Sequence, residues 1–105
     1  MLVLSTGPDD ESTETLARAL VDERLAACVN ILPAMTSIYR WQGRVERGAE
    51  RQLIIKTTRA ALPALQARFA ELHSYELPEF VVLDVMSGSA EYLAWIAREV
   101  PDAHH

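Results

Sequence analysis

The sequence is poor in cysteine and in lysine, and each shortage excludes a class of protein. Its 105 residues include one cysteine, Cys28, which rules out a disulfide within the chain and a four-thiolate zinc site. Fifteen acidic residues against ten basic ones give a net charge of −5, and Lys56 is the only lysine. Because binding to nucleic acid or to an anionic membrane needs clustered basic residues, we expect neither as a partner.

Long apolar runs are also missing, so a bilayer-spanning segment of ~20 residues is not predicted. The start, Met1–Leu4, lacks the basic residues and apolar stretch of a secretion signal. With a single thiol, which fits a reducing compartment, this favours a cytoplasmic protein. The length predicts one domain over residues 1–100 and a tail over 101–105. His104 and His105 in that tail are either native or the start of a purification tag, and they enter no site argument.

What the chain does have is an alternation of strand and helix patterns. Apolar residues at helical spacing predict a helix over Ser12–Ala27, and a second helix starting near Ala61, with Pro63 in its first turn. Strand patterns lie between them, and Ser87-Gly88-Ser89 precedes a last helix. The order β-α-β-β-α-β with a terminal helix predicts an α+β, ferredoxin-like fold, in which an antiparallel sheet has its helices on one face.

The strands carry local signals of their own. Gln42-Gly43 predicts the turn of a long central hairpin, Pro33 a bulge or an edge, and Gly48 a second bulge. Cys28 is interpreted as a buried structural thiol. The apolar residues from Phe80 to Val85 predict a buried strand.

The central hairpin is too long for the body that it belongs to. Residues 44–58 would extend about 50 Å at ~3.4 Å per residue, whereas a compact domain of this size is roughly 33 Å across. An overhanging hairpin leaves unpaired backbone groups, which a neighbouring subunit can satisfy by strand pairing. The hypothesis is an obligate homo-oligomer, either a trimer or a dimer, and the alternative is a bent hairpin that covers itself. Tyr39 and Trp41 near the tip are interpreted as interface anchors.

Several segments together resemble the CutA divalent-ion tolerance family. They are Ala26–Pro33, Ser37–Glu46, Ile55–Thr57, the loop His73-Ser74-Tyr75-Glu76-Leu77-Pro78-Glu79 and the final Tyr92-Leu93-Ala94-Trp95. The likeness runs from Leu2 to about Glu99. It implies a ferredoxin-like homotrimer locked by inter-subunit strand pairing and linked to copper tolerance and metal binding.

The resemblance also implies a copper site, which this chain matches only in part. Copper-binding members are expected to use a cysteine that closes the first strand and two histidines after the second helix. Ser5 stands at the cysteine position and Leu72 at the first histidine, so His73 alone remains as a candidate metal ligand. No cofactor is certain, and copper or another divalent cation is the candidate.

Four residues are predicted to line a ligand cleft: Lys56, His73, Tyr75 and Glu79. His73 follows a helix, where a cation is favoured by the helix dipole, so it is either a structural helix-end residue or a ligand. Tyr75 and Glu79 supply oxygen donors beside it. Lys56 is interpreted as an inter-subunit ion-pair partner of Glu50 or Glu79, with anion binding as the alternative.

The functional hypothesis is a homotrimer that binds a metal ion or small ligand in clefts between subunits and influences divalent-cation tolerance. The alternative is a PII-like trimeric signalling or scaffold module without dedicated metal binding. No nucleophile-base arrangement or phosphate-binding glycine loop is present, so an enzyme is not expected. An enzyme acting through His73 and Glu79 is a third reading, for which the sequence indicates no substrate.

Overall fold

The computed structural model describes residues 1–102, so the predicted tail lies mostly outside the described residues. A five-stranded antiparallel sheet is combined with three helices in this part of the chain. The elements in order are β1 (Leu2–Pro8), α1 (Glu11–Asp22), β2 (Cys28–Ile31), β3 (Met35–Trp41), β4 (Arg44–Lys56), α2 (Leu62–Leu72), β5 (Val81–Leu83) and α3 (Ala90–Glu99). This confirms the predicted α+β class and element order, with the predicted second strand divided into β2 and β3.

The sheet has the order β2-β4-β1-β5, and β3 pairs with the other half of β4. Alternation along the strands separates two faces, because Val3, Leu53 and Ile55 are fully buried whereas Leu4 and Ile54 are only half-buried. The buried face packs against the apolar stripes of α1 and α2 in one core. Its members include Leu16, Leu20, Leu65 and Phe69.

Helix α1 begins within one residue of the predicted start and ends five residues before the predicted end. The Asp10 carboxylate accepts a 2.9 Å hydrogen bond from the backbone N–H of Ser12, which caps the first turn. The predicted end at Ala27 is wrong, because the helix stops at Asp22 and Arg24 adopts a left-handed φ of 58°. The apolar residues beyond that point, Leu25 and Ala26, are buried by the connection to β2 and not by further helical turns.

Strands β3 and β4 form an arm that extends beyond the rest of the sheet. β1 and β2 pair only with residues 50–56 of β4, whereas β3 pairs with residues 44–50. The arm explains the elongated shape of 43 × 27 × 24 Å. At its tip Gln42 and Gly43 have φ values of 49° and 80°, which confirms the predicted two-residue turn. The arm does not cover itself, since Ile38 and Val45 are 70% and 67% exposed.

An irregularity in the pairing between β4 and its partners lies at Pro33 and not at Gly48. Between the β2 and β3 registers, residues 32–34 face only residues 51–52 of β4, so one extra residue is accommodated there. Arg51 steadies this bulge, because its Nε donates a 3.1 Å hydrogen bond to the carbonyl oxygen of Leu32. The predicted bulge at Pro33 is thus confirmed. The one predicted at Gly48 is wrong, since Gly48 pairs in regular register with Ser37.

Two burial predictions are also wrong. The strand expected over residues 80–85 is only the short β5, whose three side chains are exposed. Its outer edge also has no pairing strand within residues 1–102. Cys28 is half-buried and not fully buried, because its position opposite Lys56 places it on the face of the sheet away from the core. The other two helices begin where the sequence predicts. α2 starts after Ala61 with Pro63 in its first turn, and the Ser89 side chain caps α3 by accepting a hydrogen bond from the N–H of Tyr92.

Candidate functional site

The imidazole of His73 joins the end of α2 to the end of β1. Its Nε2 lies 2.7 Å from the carbonyl oxygen of Thr6, and its Nδ1 accepts a 3.0 Å hydrogen bond from the backbone N–H of Tyr75. Since a carbonyl oxygen can only accept, Nε2 must carry the proton and Nδ1 must be bare. The ring is therefore held as the neutral Nε2–H tautomer, with both nitrogens engaged by backbone groups.

Aromatic rings enclose this histidine on both sides. The ring centroids of Phe69 and Tyr75 lie 5.0 Å and 4.7 Å from that of His73, and Phe80 contacts Phe69 edge-on at 5.4 Å. These separations are in the range in which tilted and edge-to-face pairs are favourable. The half-buried His73 thus serves as a packing element of the loop that follows α2.

Tyr75 connects the loop after α2 to the base of the arm. Burial, and next to it a hydrogen bond to the carboxylate of Glu50, raise the pKa of the Tyr75 phenol well above its usual range, with smaller contributions from Tyr39 and Asp10. Glu50 lies on β4 where the arm begins, paired with Met35 on one side and Pro8 on the other. The Glu50 carboxylate thereby links the predicted cleft residue Tyr75 to the point on β4 where the arm begins.

Glu79 closes the same end of the sheet. Its Oε2 lies 3.3 Å from Nε2 of Gln52, which also donates to the carbonyl oxygen of Ser5. Three of the predicted cleft residues, His73, Tyr75 and Glu79, therefore anchor one loop to the end of β1 and to the middle of β4. Sequence reasoning missed Gln52 and the pairing of Tyr75 with Glu50. The alternation of side chains along β4 could have identified Gln52, because it places Gln52 on the face of the sheet opposite to the core residue Leu53.

Lys56 lies at the other end of the sheet. Its Nζ is 3.2 Å from the phenolic oxygen of Tyr92 and 5.5 Å from the ring centroid, and the hydrogen bond to Tyr92 raises the pKa of Lys56. Lys56 pairs with Leu2, whereas Gln52 pairs with Thr6, which puts the two positions about 13 Å apart along β4. Within one chain, the fold does not bring Lys56 to the His73 loop. Its predicted ion pair with Glu50 or Glu79 of a neighbour stays a prediction.

The predicted interface anchors lie on the arm. Tyr39 and Trp41 are exposed, and both project from the same face of β3 because they are two residues apart. Tyr39 reaches across to Gly48, where a Cβ atom would lie 3.8 Å from the phenolic oxygen. The arm therefore presents two partly exposed aromatic rings on one face.

The donors in one chain do not fit a metal centre. Across residues 1–102, no group of three or more histidine, cysteine or carboxylate side chains converges in a way that could hold an ion. His73, the candidate ligand, has both ring nitrogens committed to Thr6 and Tyr75. Cu(II) prefers several nitrogen or oxygen donors in a tetragonal arrangement, which a single occupied imidazole does not supply.

No helix in residues 1–102 combines the length and apolar character needed to cross a bilayer. The fold and the unpaired arm define a small ferredoxin-like α+β protein with an extended central hairpin. The family model described as "CutA1 divalent ion tolerance protein" matches residues 1–99. The chain belongs to the CutA1 divalent ion tolerance family.

Individual relatives are similar to this chain over nearly its whole length. The divalent-cation tolerance protein CutA of Thermus thermophilus is 53% identical over 95 residues, which are 90% of this chain and 92% of the relative. The solved structure of the protein from this organism aligns at a TM-score of 0.91 and 50% identity, covering 95% of this chain and 97% of the other. The PII-like protein CutA from Nostoc sp. PCC 7120 aligns at 0.88 and 39% identity, covering 95% and 96%.

Proposed function

We propose that this protein acts in divalent-cation tolerance as a homotrimer that binds a small ligand or a metal ion in the clefts between its subunits. The observation that carries the proposal is the arm, whose apolar residues Ile38 and Val45 are about two-thirds exposed in one chain. Monomeric proteins rarely leave such a surface uncovered. A second copy of the chain can cover it by strand pairing.

The sheet offers a matching edge for such pairing. Val81, Val82 and Leu83 of β5 are all exposed, and β5 has no partner on its outer side within residues 1–102. Pairing the arm of one subunit with β5 of the next would satisfy both sets of backbone groups and bury both apolar surfaces. Closed symmetry uses every such edge and avoids open fibres, and three copies are the assembly that we propose.

The ligand cleft then lies at the base of the arm. Tyr75 and Glu50 join the His73 loop to that base, so a subunit that covers the arm also adjoins the loop. The loop offers the hydroxyl of Tyr75 and the carboxylates of Glu76 and Glu79 to a polar ligand. Lys56 would take part only if the neighbouring subunit supplied it, because it lies at the other end of the sheet in its own chain.

The assembly is tested by a matched pair of surface substitutions. Ile38→Glu puts a charge on the arm, where the side chain is 70% exposed, and Val21→Glu puts the same charge on α1, at an exposed residue outside the arm, β5 and the His73 loop. We expect sedimentation equilibrium to give a trimer for the parent protein and for Val21→Glu, and dissociation for Ile38→Glu, since a carboxylate cannot be buried unpaired. A stable parent monomer at micromolar concentration would overturn the assembly and the cleft together.

The second candidate is a PII-like trimeric signalling or scaffold module without dedicated metal binding. The engagement of both His73 nitrogens favours it, because a metal would have to displace Thr6 or Tyr75. Calorimetric titration with Cu²⁺, on protein lacking His104 and His105, separates the two candidates. Saturable heat at neutral pH supports a metal ligand, and its absence leaves the small-ligand and scaffold roles.

We place the protein in the cytoplasm, because its single thiol fits a reducing compartment. We expect no catalytic turnover and no nucleic-acid partner, since no nucleophile-base pair or basic cluster was found in the sequence. Thermal-shift screening with nucleotides and other small metabolites would identify a ligand for the cleft. Loss of the shift in a Tyr75→Phe variant would assign the ligand to the His73 loop.

A further inference from the structure

Strand β2 forms a second free edge of the sheet, distinct from the arm and from β5. β2 is the outermost strand on its side of the sheet and pairs only with β4, while β5 lies at the opposite edge. The trimer proposed above uses the arm and β5. The β2 edge is separate from both and is present in a single chain.

The hydrogen-bond pattern identifies the backbone groups at this edge. The N–H of Leu32 donates 3.0 Å to the carbonyl oxygen of Gln52, which makes that pair a hydrogen-bonded one in the antiparallel register. Such pairs alternate with non-hydrogen-bonded pairs, so Asn30 also faces β4, whereas Val29 and Ile31 direct their N–H and C=O groups away from it. Two donors and two acceptors therefore stand unpaired along the outer side of β2.

A groove runs beside these backbone groups, between β2 and α1. It encloses about 390 Å³, and its floor is apolar. Val21 of α1 is 40% exposed there, although its helix otherwise buries its apolar stripe. The apolar lining residues are Ala17, Val21, Val29 and Ile31.

The rim of the groove is charged and carries a net negative charge. Glu14, Arg18 and Asp22 follow one side of α1, and Nε of Arg18 lies 3.3 Å from the carboxylate of Glu14. Asp22 has no cationic side chain within 4.0 Å in residues 1–102. The carboxylate that remains unpaired favours a basic group on whatever occupies the groove.

β2 carries no side chain that would keep another strand away from its edge. Charged side chains and proline within the strand protect many natural edges, and Cys28-Val29-Asn30-Ile31 include neither. The short length of β2 and the bulge at Pro33 are two other protective features, and they limit the pairing surface to the outward groups of Val29 and Ile31. An edge without charge or proline, beside an apolar groove, can accept a short added strand.

We propose that this edge and groove bind an extended segment of another protein, added to the sheet as a strand next to β2. Its backbone would pair with Val29 and Ile31, its alternate apolar side chains would enter the groove, and a lysine or arginine would lie against Asp22. Extended peptides bind sheet edges in this way, with main-chain bonds supplying affinity and side-chain pockets supplying specificity. The site would give the trimer a docking surface for a partner on the outside of each subunit.

The free protein provides the first test, by amide hydrogen exchange measured with NMR. We expect fast exchange at Val29 and Ile31 and slow exchange at Asn30, whose N–H bonds to β4. Protection of all three amides in the free protein would mean that a second copy of the chain already covers the edge, and would overturn the proposal.

The second test uses a synthetic library of peptides about seven residues long, the length of an ordinary strand, in which apolar and polar positions alternate. We expect selected binders to contain a basic residue and to slow exchange at Val29 and Ile31. Methylation of alternate peptide nitrogens in a binder should weaken it at least about tenfold, because it removes main-chain bonds. A library that yields no binder, or binders indifferent to that methylation, would refute strand addition.

Variants locate the site. Val29→Pro removes an outward N–H and keeps the ladder to β4, because proline is tolerated where an edge strand faces solvent. We expect it to weaken a selected peptide by about tenfold. Asp22→Arg, a surface change that keeps folding intact, should weaken it by about two- to fivefold, whereas Asp102→Arg should not. Equal effects of the two arginine substitutions would place the peptide elsewhere and contradict the proposal.

Discussion

Nε2 of His73 donates a 2.7 Å hydrogen bond to the carbonyl oxygen of Thr6, so a side chain at the end of α2 satisfies the backbone of β1. We expect His73→Ala to lower the free energy of unfolding by about 2 kcal/mol, because it leaves this carbonyl and the N–H of Tyr75 without partners. Denaturant titration at fixed protein concentration measures the change. Ser74→Ala, at the exposed neighbouring position, is the control, and equal losses in both variants would contradict the role of the ring.

The raised pKa of Tyr75 predicts how stability responds to alkali. A pKa above the unfolded value means that the folded state favours the neutral phenol, so this stabilisation is complete below about pH 10 and is lost as pH rises further. Tyr75→Phe should therefore flatten the alkaline fall in unfolding free energy. Glu50→Gln should flatten it partly, since burial is the larger cause of the shift. Denaturant titrations across this pH range test both, and unchanged slopes would refute the assignment.

Two glycines should respond oppositely to a methyl group. A Cβ at Gly7 would lie 2.5 Å from Oγ1 of Thr13, which itself donates a 2.6 Å hydrogen bond to the carbonyl oxygen of Pro8. Gly7→Ala should cost about 1–3 kcal/mol, because the turn into α1 must shift. A Cβ at Gly48 meets nothing nearer than 3.8 Å, so Gly48→Ala should be neutral or slightly stabilising. Thermal unfolding of the two variants measures both effects. A large loss of stability in Gly48→Ala would contradict the regular pairing of Gly48 with Ser37.

Lys56 and Tyr92 should be energetically coupled. The ammonium of Lys56 is within hydrogen-bonding distance of the phenolic oxygen and lies 5.5 Å from the ring centroid. A double-mutant cycle with Lys56→Met and Tyr92→Leu should give a coupling of about 0.5–1 kcal/mol, as is usual for an exposed cation–π pair. Additive effects of the two substitutions would show that α3 does not hold this contact in solution.

Much of the fold could be predicted because local chemistry determines it. The turn at Gln42-Gly43 needs two residues with positive φ, and the bulge at Pro33 follows from a missing backbone donor. Gly48 misled the prediction, because a glycine in a strand is compatible with a bulge and with regular pairing alike. The early end of α1 was not predicted either, since apolar spacing continues through Leu25 after the backbone has turned at Arg24.

The site was less predictable because its contacts join residues far apart in the chain. The loop from His73 to Glu79 could be picked out by composition and resemblance, and it does fold against the sheet. That both nitrogens of His73 are engaged depends on where β1 ends relative to α2, which no local pattern encodes. The separation of Lys56 from that loop follows only once the register of β4 against β1 is known. The burial expected for β5 failed for a similar reason, since burial depends on what packs against a strand and not on the composition of the strand itself.

β4 is the one strand shared by the arm and the core, since it pairs with β3 over residues 44–50 and with β1 and β2 over residues 50–56. The arm and the hydrophobic core are therefore joined by continuous backbone within a single strand. A partner that binds the arm only in the folded state should thus raise the melting temperature of the whole chain.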